Sequence, residues 1–185
     1  MGWLVFGILV WTGAHYFKRL APGARAAIGN AGKGLVAVLS IGAIFFMVKG
    51  YKAAEVVPLW DLGGWTVHAN NALMLVAVAF LGAGSSKSRL REKMRHPMLT
   101  GVLVWMVAHL LVNGDLASLV LFGGLGLWAL GSIYLINRGE PEYEGWQGGT
   151  KAGDIRLLII SIVVFAVIAG IHLFIGPSPF SGGSG

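Results

Sequence analysis

Residues 99–136 read LTGVLVWMVAHLLVNGDLASLVLFGGLGLWALGSIYLI. Two apolar stretches, 99–112 and 116–136, stand on either side of Asn113-Gly114-Asp115, and neither contains Asp, Glu, Lys or Arg. Neither alternates with the period of two that a barrel strand shows, so helices are the structure that can carry them across a bilayer. Asn-Gly-Asp makes a tight turn, and Asp115 is placed to cap the helix that follows. Working outward, four more stretches have this character: residues 2–17, 35–48, 65–81 and 155–175. Those at 35–48 and 99–112 are short against a bilayer core of about 30 Å and are expected to extend into their flanks. The expectation is an all-α, polytopic membrane protein: a bundle of about six transmembrane helices.

Composition agrees. Of 185 residues, 56% are hydrophobic and 12% charged, and the mean hydropathy is +0.74. A soluble domain carries roughly a quarter charged residues, so soluble enzymes, nucleic-acid binders and disordered tails are excluded. The absence of cysteine removes disulfides, thiolate metal sites and covalent haem attachment. The excess of positive charge is asymmetric. With six spans, the first, third and fifth loops share one side and hold Lys18, Arg19, Arg25, Lys33, Lys87, Arg89, Arg91, Lys93, Arg95, Arg138, Lys151 and Arg156, against Lys49 and Lys52 on the other. Both termini are therefore expected on the non-cytoplasmic side of a bacterial inner membrane. The first stretch has its basic residues after it, the wrong polarity for a cleaved signal peptide. Residues 1–180 read as one domain, and 181–185 as a flexible tail of the linker composition that an expression vector appends. Glycine, at 29 residues, suits close helix packing, and no internal repeat is expected.

Polar groups are costly inside a membrane and mark where function is to be sought. His15, His68, His109 and His172 fall within the apolar stretches, and His96 opens one. Neutral imidazole is the commonest metal and haem ligand among side chains. At a rise of 1.5 Å per residue, His68, His109 and His172 come out roughly 7–11 Å towards the outer side and His15 roughly 6–8 Å towards the inner. Depth alone pairs His109 with His68 or His172. Trp105, His109 and Asn113 share a helix face at i, i+4 and i+8, and Asn113 or Asp115 is expected to orient His109 through its second ring nitrogen. Arg95-His96-Pro97 opens a helix, with Pro97 in the first turn. Its amides with Arg95 and His96 suit a phosphate, a carboxylate or a lipid headgroup. The basic loop 87–95 fits anionic lipid, with no aromatic interleaving to suggest nucleic acid. There is no Ser-His-Asp set, P-loop or H-E-x-x-H.

The run RHPMLTGVLVWMVAHLLVNGDLASLVLFGGLGLWAL resembles the signature of the NnrU family of integral membrane proteins. GAHYFKRLAPGARAAIG near the start and HLFIGPSPF near the end extend the resemblance over most of the chain. It implies an association with denitrification and nitric oxide metabolism. The family is similar to plant 15-cis-ζ-carotene isomerase, a membrane haem b enzyme with R-H-P, a Gly, and a Trp followed by Ala-His. That similarity implies haem b ligated by His109 and His15. It further implies a redox-dependent cis–trans isomerase acting on a carotenoid or other polyene lipid delivered from the bilayer. Met106 stands where that enzyme has a cysteine, which departs from any thiol-based ligand exchange. His68 has a counterpart too, so the second ligand stays open among His15, His68 and His172. Arg95, His96, Trp105, Asn113 and Asp115 are the accompanying cofactor-binding candidates.

Two further readings are carried alongside. One is a non-enzymatic membrane accessory or assembly factor in which the histidines serve packing. The other is a membrane methyltransferase that binds S-adenosylmethionine, since R-H-P before an aromatic run is similar to that group's cofactor segment. Arg138-Gly139-Glu140-Pro141-Glu142 does not supply that group's intact partner motif.

Overall fold

The computed structural model describes residues 1–176 and 178–180, so the expected tail at 181–185 lies outside the described residues. The chain forms α1 (Gly2–Leu20), α2 (Pro22–Ala27), α3 (Ala31–Lys52), α4 (Trp65–Ala83), α5 (Arg89–Glu92), α6 (Pro97–Val112) and α7 (Leu116–Ser118). A π-helical turn (Leu119–Gly123), α8 (Gly124–Gly139) and α9 (Lys151–Ile175) follow. The all-α expectation holds among the described residues, where the only extended pairing is an isolated bridge between Pro58 and Asp115.

By length and composition four helices can cross a membrane: Ala31–Lys52, Trp65–Ala83, Leu116–Gly139 and Lys151–Phe174. This count falls short of six. α1 has 19 residues but ends in His15, Tyr16, Lys18 and Arg19. α6 has 16 residues, about 24 Å at 1.5 Å per residue. The stretch at 35–48 does extend into both flanks, as α3. The stretch at 99–112 gains only Pro97 and Met98. Pro97 fixes the start of α6, and at its end Asn113 turns to φ −123°, ψ 90° while its side-chain amide donates to the His109 carbonyl at 2.8 Å. The Asn113 backbone amide donates to the same carbonyl at 2.9 Å, so the side chain adds a second bond there.

Two compact units divide the chain: Met1–Trp60 with Gly114–Pro141, and Asp61–Asn113 with Glu142–Gly185. In the first, α1 packs along α3 and also against α8. The contact is close because two glycines leave room. A Cβ on Gly7 would stand 2.8 Å from the Ala43 carbonyl, and one on Gly50 would strike the Leu4 backbone. Leu4, Ala43, Met47 and Ala117 form its core. Segment 57–60 is stitched to the turn before α7: Leu59 and Trp60 amides donate to the Gly114 carbonyl, and Leu116 donates to Val57.

In the second unit α6 and α9 each pack against α4. A Cβ on Gly101 would stand 3.0 Å from the Ala77 carbonyl, and one on Gly82 would meet Leu157 at 3.0 Å. Where α9 begins, Thr150 caps it through the Gly153 amide at 2.9 Å. Asp154 there accepts from Ser88 Oγ at 2.6 Å and from Arg89 Nε at 2.5 Å. Glu92 accepts from the Gly148 and Gly149 amides, at 3.0 and 2.6 Å. Arg91 lies over Trp146 and Arg95 over Tyr143. The loop before α9 is thereby tied to α5 and its flanks.

Candidate functional site: the membrane histidines

Three histidines inside apolar helices are held in the same way. The ring Nδ1 lies 2.8 Å from the Trp11 carbonyl in His15, 2.9 Å from the Trp105 carbonyl in His109, and 2.9 Å from the Ile168 carbonyl in His172. A carbonyl oxygen has no proton to give, so Nδ1–H is the donor in each. The neutral ring then carries its lone pair on Nε2, the protonation state a metal ligand needs. The partner is always the carbonyl four residues earlier in the ring's own helix. This corrects the expectation that Asn113 or Asp115 orients His109. Asn113 donates instead to the His109 backbone carbonyl. Asp115 belongs to the other unit and accepts from the Ser118 amide at 2.9 Å and its hydroxyl at 2.5 Å, while Ser118 Oγ also meets Tyr51 at 2.7 Å.

The packing contacts set the level of each ring in the second unit. Gly101 lies opposite residues 77–81, and α4 and α6 run antiparallel. Eight residues on, about 12 Å at 1.5 Å each, His109 is level with Asn70 and Asn71. From Leu157 opposite Gly82, His172 is level with about residue 67 by the same rise. His68, His109 and His172 thus share one level to within about a turn. His68 faces outward on α4, whereas Thr66 and Asn70 on either side of it are buried. The Trp105 ring stands 5.0 Å from His109. Arg95 stacks on Tyr143 at 4.9 Å, and His96 is the residue before α6, its carbonyl accepting from the Thr100 amide and hydroxyl.

His15 is in the first unit. Its ring stacks on Trp11 at 4.1 Å and meets Trp128 edge-on at 5.1 Å, and the two indoles lie 5.4 Å apart. Tyr16 donates to the Trp128 carbonyl at 2.8 Å and fixes α8 at that level.

One feature of the sequence was missed altogether. Residues 7–15 read GILVWTGAH and residues 101–109 read GVLVWMVAH, identical at six of nine positions. This corrects the expectation of no internal repeat. Both copies do the same work. The Gly sits at a helix crossing, beside the Ala43 carbonyl and Met47 in one and the Ala77 carbonyl and Leu81 in the other. The Ala is buried, and the Trp carbonyl takes the His Nδ1–H. Each unit contains one copy. Sequence reasoning also passed over Asn70, Ser161, Trp11 and Trp128. Each has a buried polar atom without a hydrogen-bond partner among the described residues, a state that costs about 1–3 kcal/mol apiece. Nothing short of the packed structure signals this.

An apolar, all-helical chain with four helices able to cross a membrane is the class these features define: an integral membrane protein. A family model described as NnrU protein matches residues 3–179, and the chain belongs to that family. No curated protein and no solved structure matches it. Among the described residues no group of three or more His, Cys, Asp or Glu is placed to hold a metal ion.

Proposed function

We propose that this NnrU-family membrane protein binds haem b, and that His109 would be the first residue to hold it. The observation that carries the reading is the common tautomer of His15, His109 and His172, each with Nδ1–H given to a backbone carbonyl and the lone pair on Nε2. That donor set fits haem, which two neutral imidazoles hold without any acidic ligand. When bound, the group supplies a one-electron redox centre. The chain's own part is to fix ring orientation through the Trp105 and Trp11 carbonyls and to raise ligand basicity by that hydrogen bond. Its apolar helices exclude water. The level that His172 shares with His109 in the same unit favours it as the second ligand; the resemblance favours His15. The finer activity, redox-dependent isomerisation of a polyene lipid or a role in nitric oxide metabolism, rests on resemblance alone. For the whole chain we propose six spans, α1 and α6 included, with both termini outside the cytoplasm of a bacterial inner membrane.

The test is a reduced-minus-oxidised absorption spectrum of detergent-purified protein expressed with ample haem. A sharp Soret and α band is expected, abolished in His109→Ala and retained in His96→Ala. Whichever of His15→Ala, His68→Ala and His172→Ala also abolishes it identifies the second ligand. A featureless wild-type spectrum overturns the proposal and leaves an accessory role, with S-adenosylmethionine binding the next assay.

A further inference from the structure

We infer that the Trp11–His15–Trp128 cluster is a binding place for a neutral bilayer molecule that presents a carbonyl oxygen. Both indole Nε1–H groups are buried and find no acceptor among the described residues, although their rings stand 5.4 Å apart and both contact His15. An indole nitrogen only donates, so what is missing is an acceptor, and one molecule can reach both donors. Trp11 lies nine residues before the end of α1, about 13 Å from it at 1.5 Å per residue. At that depth a bare anion is disfavoured. The nearest guanidinium on this helix, Arg19, is held by Glu140 at 2.6 Å. A carbonyl on an apolar body meets both demands. Two kinds of bilayer molecule offer one: a quinone head and the ester of a phospholipid.

The site is more than the repeated segment itself, because it takes a second indole, Trp128, that α8 brings to the copy in α1. The inference uses the indole N–H groups and not His15 Nε2. It therefore fails or holds apart from iron ligation.

The test is the indole ¹H–¹⁵N spectrum of the full chain, ¹⁵N-labelled at tryptophan, in lipid-free detergent. Trp11→Phe and Trp128→Phe assign the two signals by their loss. Stepwise addition of decylubiquinone, or separately of phosphatidylcholine, is expected to move both indole protons downfield and to saturate, while the Trp3 and Trp65 signals stay put. A response to the quinone alone identifies a quinone site, and a response to phosphatidylcholine identifies an ester lipid. If neither additive moves the two signals, water or a ring face satisfies these donors and the inference is wrong. If every indole moves in proportion to added amphiphile, the effect is bulk partitioning and the inference is equally wrong.

Discussion

The Tyr16 hydroxyl lies against Gly131, where a Cβ would collide with it, and donates to the Trp128 carbonyl at 2.8 Å. Gly131→Ala must displace that hydroxyl, and the loss of its bond with some overpacking is expected to cost about 1–3 kcal/mol. Tyr16→Phe alone should cost about 1 kcal/mol. If the two act through one contact, the double variant is less destabilised than the sum, and thermal unfolding of the four proteins in detergent checks this. At this scale the sequence was legible for what could ligate and silent on what orients it. The i, i+4 spacing of Trp105 and His109 was read as two side chains on one face. The interaction that matters runs from the imidazole to the Trp105 backbone carbonyl, which every residue possesses and no residue type announces. Asn113 and Asp115 looked like partners because they are polar and near, but both are spent on helix ends.

Helices here meet where a side chain is absent. Gly7 and Gly50 put α1 against α3, and Gly101 puts α6 against α4. Gly50→Ala has to push the Leu4 backbone away and is expected to destabilise by about 1–3 kcal/mol. Gly42→Ala on the same helix meets nothing within 4 Å and should be neutral, or stabilising by about 0.5–1 kcal/mol, because alanine loses less backbone freedom. Unfolding in sodium dodecyl sulfate, compared between the two, checks the sign. Among 29 glycines the sequence does not distinguish these from those facing open space. Matching the segment at 7–15 with that at 101–109 would have singled out Gly7 and Gly101, though not Gly50. Near the start of α9, Glu92 holds the amides of Gly148 and Gly149. Glu92→Ala is expected to release the loop, with faster limited proteolysis between residues 142 and 150 and little change in global stability.

For the whole molecule, length and composition mark four helices among the described residues as able to cross, and the six spans proposed from the charge asymmetry can be tested against them. The lack of cysteine makes the question direct. Single cysteines at Ala26, Ser86 and Glu142 should react with an impermeant maleimide only from the cytoplasmic side, and one at Glu55 only from the opposite side. Any other pattern excludes six spans in the proposed orientation. The 16-residue α6 then has a mechanical consequence. An apolar helix of about 24 Å in a hydrocarbon layer of about 30 Å leaves a mismatch that the lipid must absorb by thinning. If α6 spans as proposed, the leaflets must dimple towards it, which would bring His109, three residues from its end, closer to water. Bilayers of short acyl chains relieve that elastic load and long chains increase it. In the proposed six-span topology the unfolding temperature should therefore fall as the host lipid lengthens.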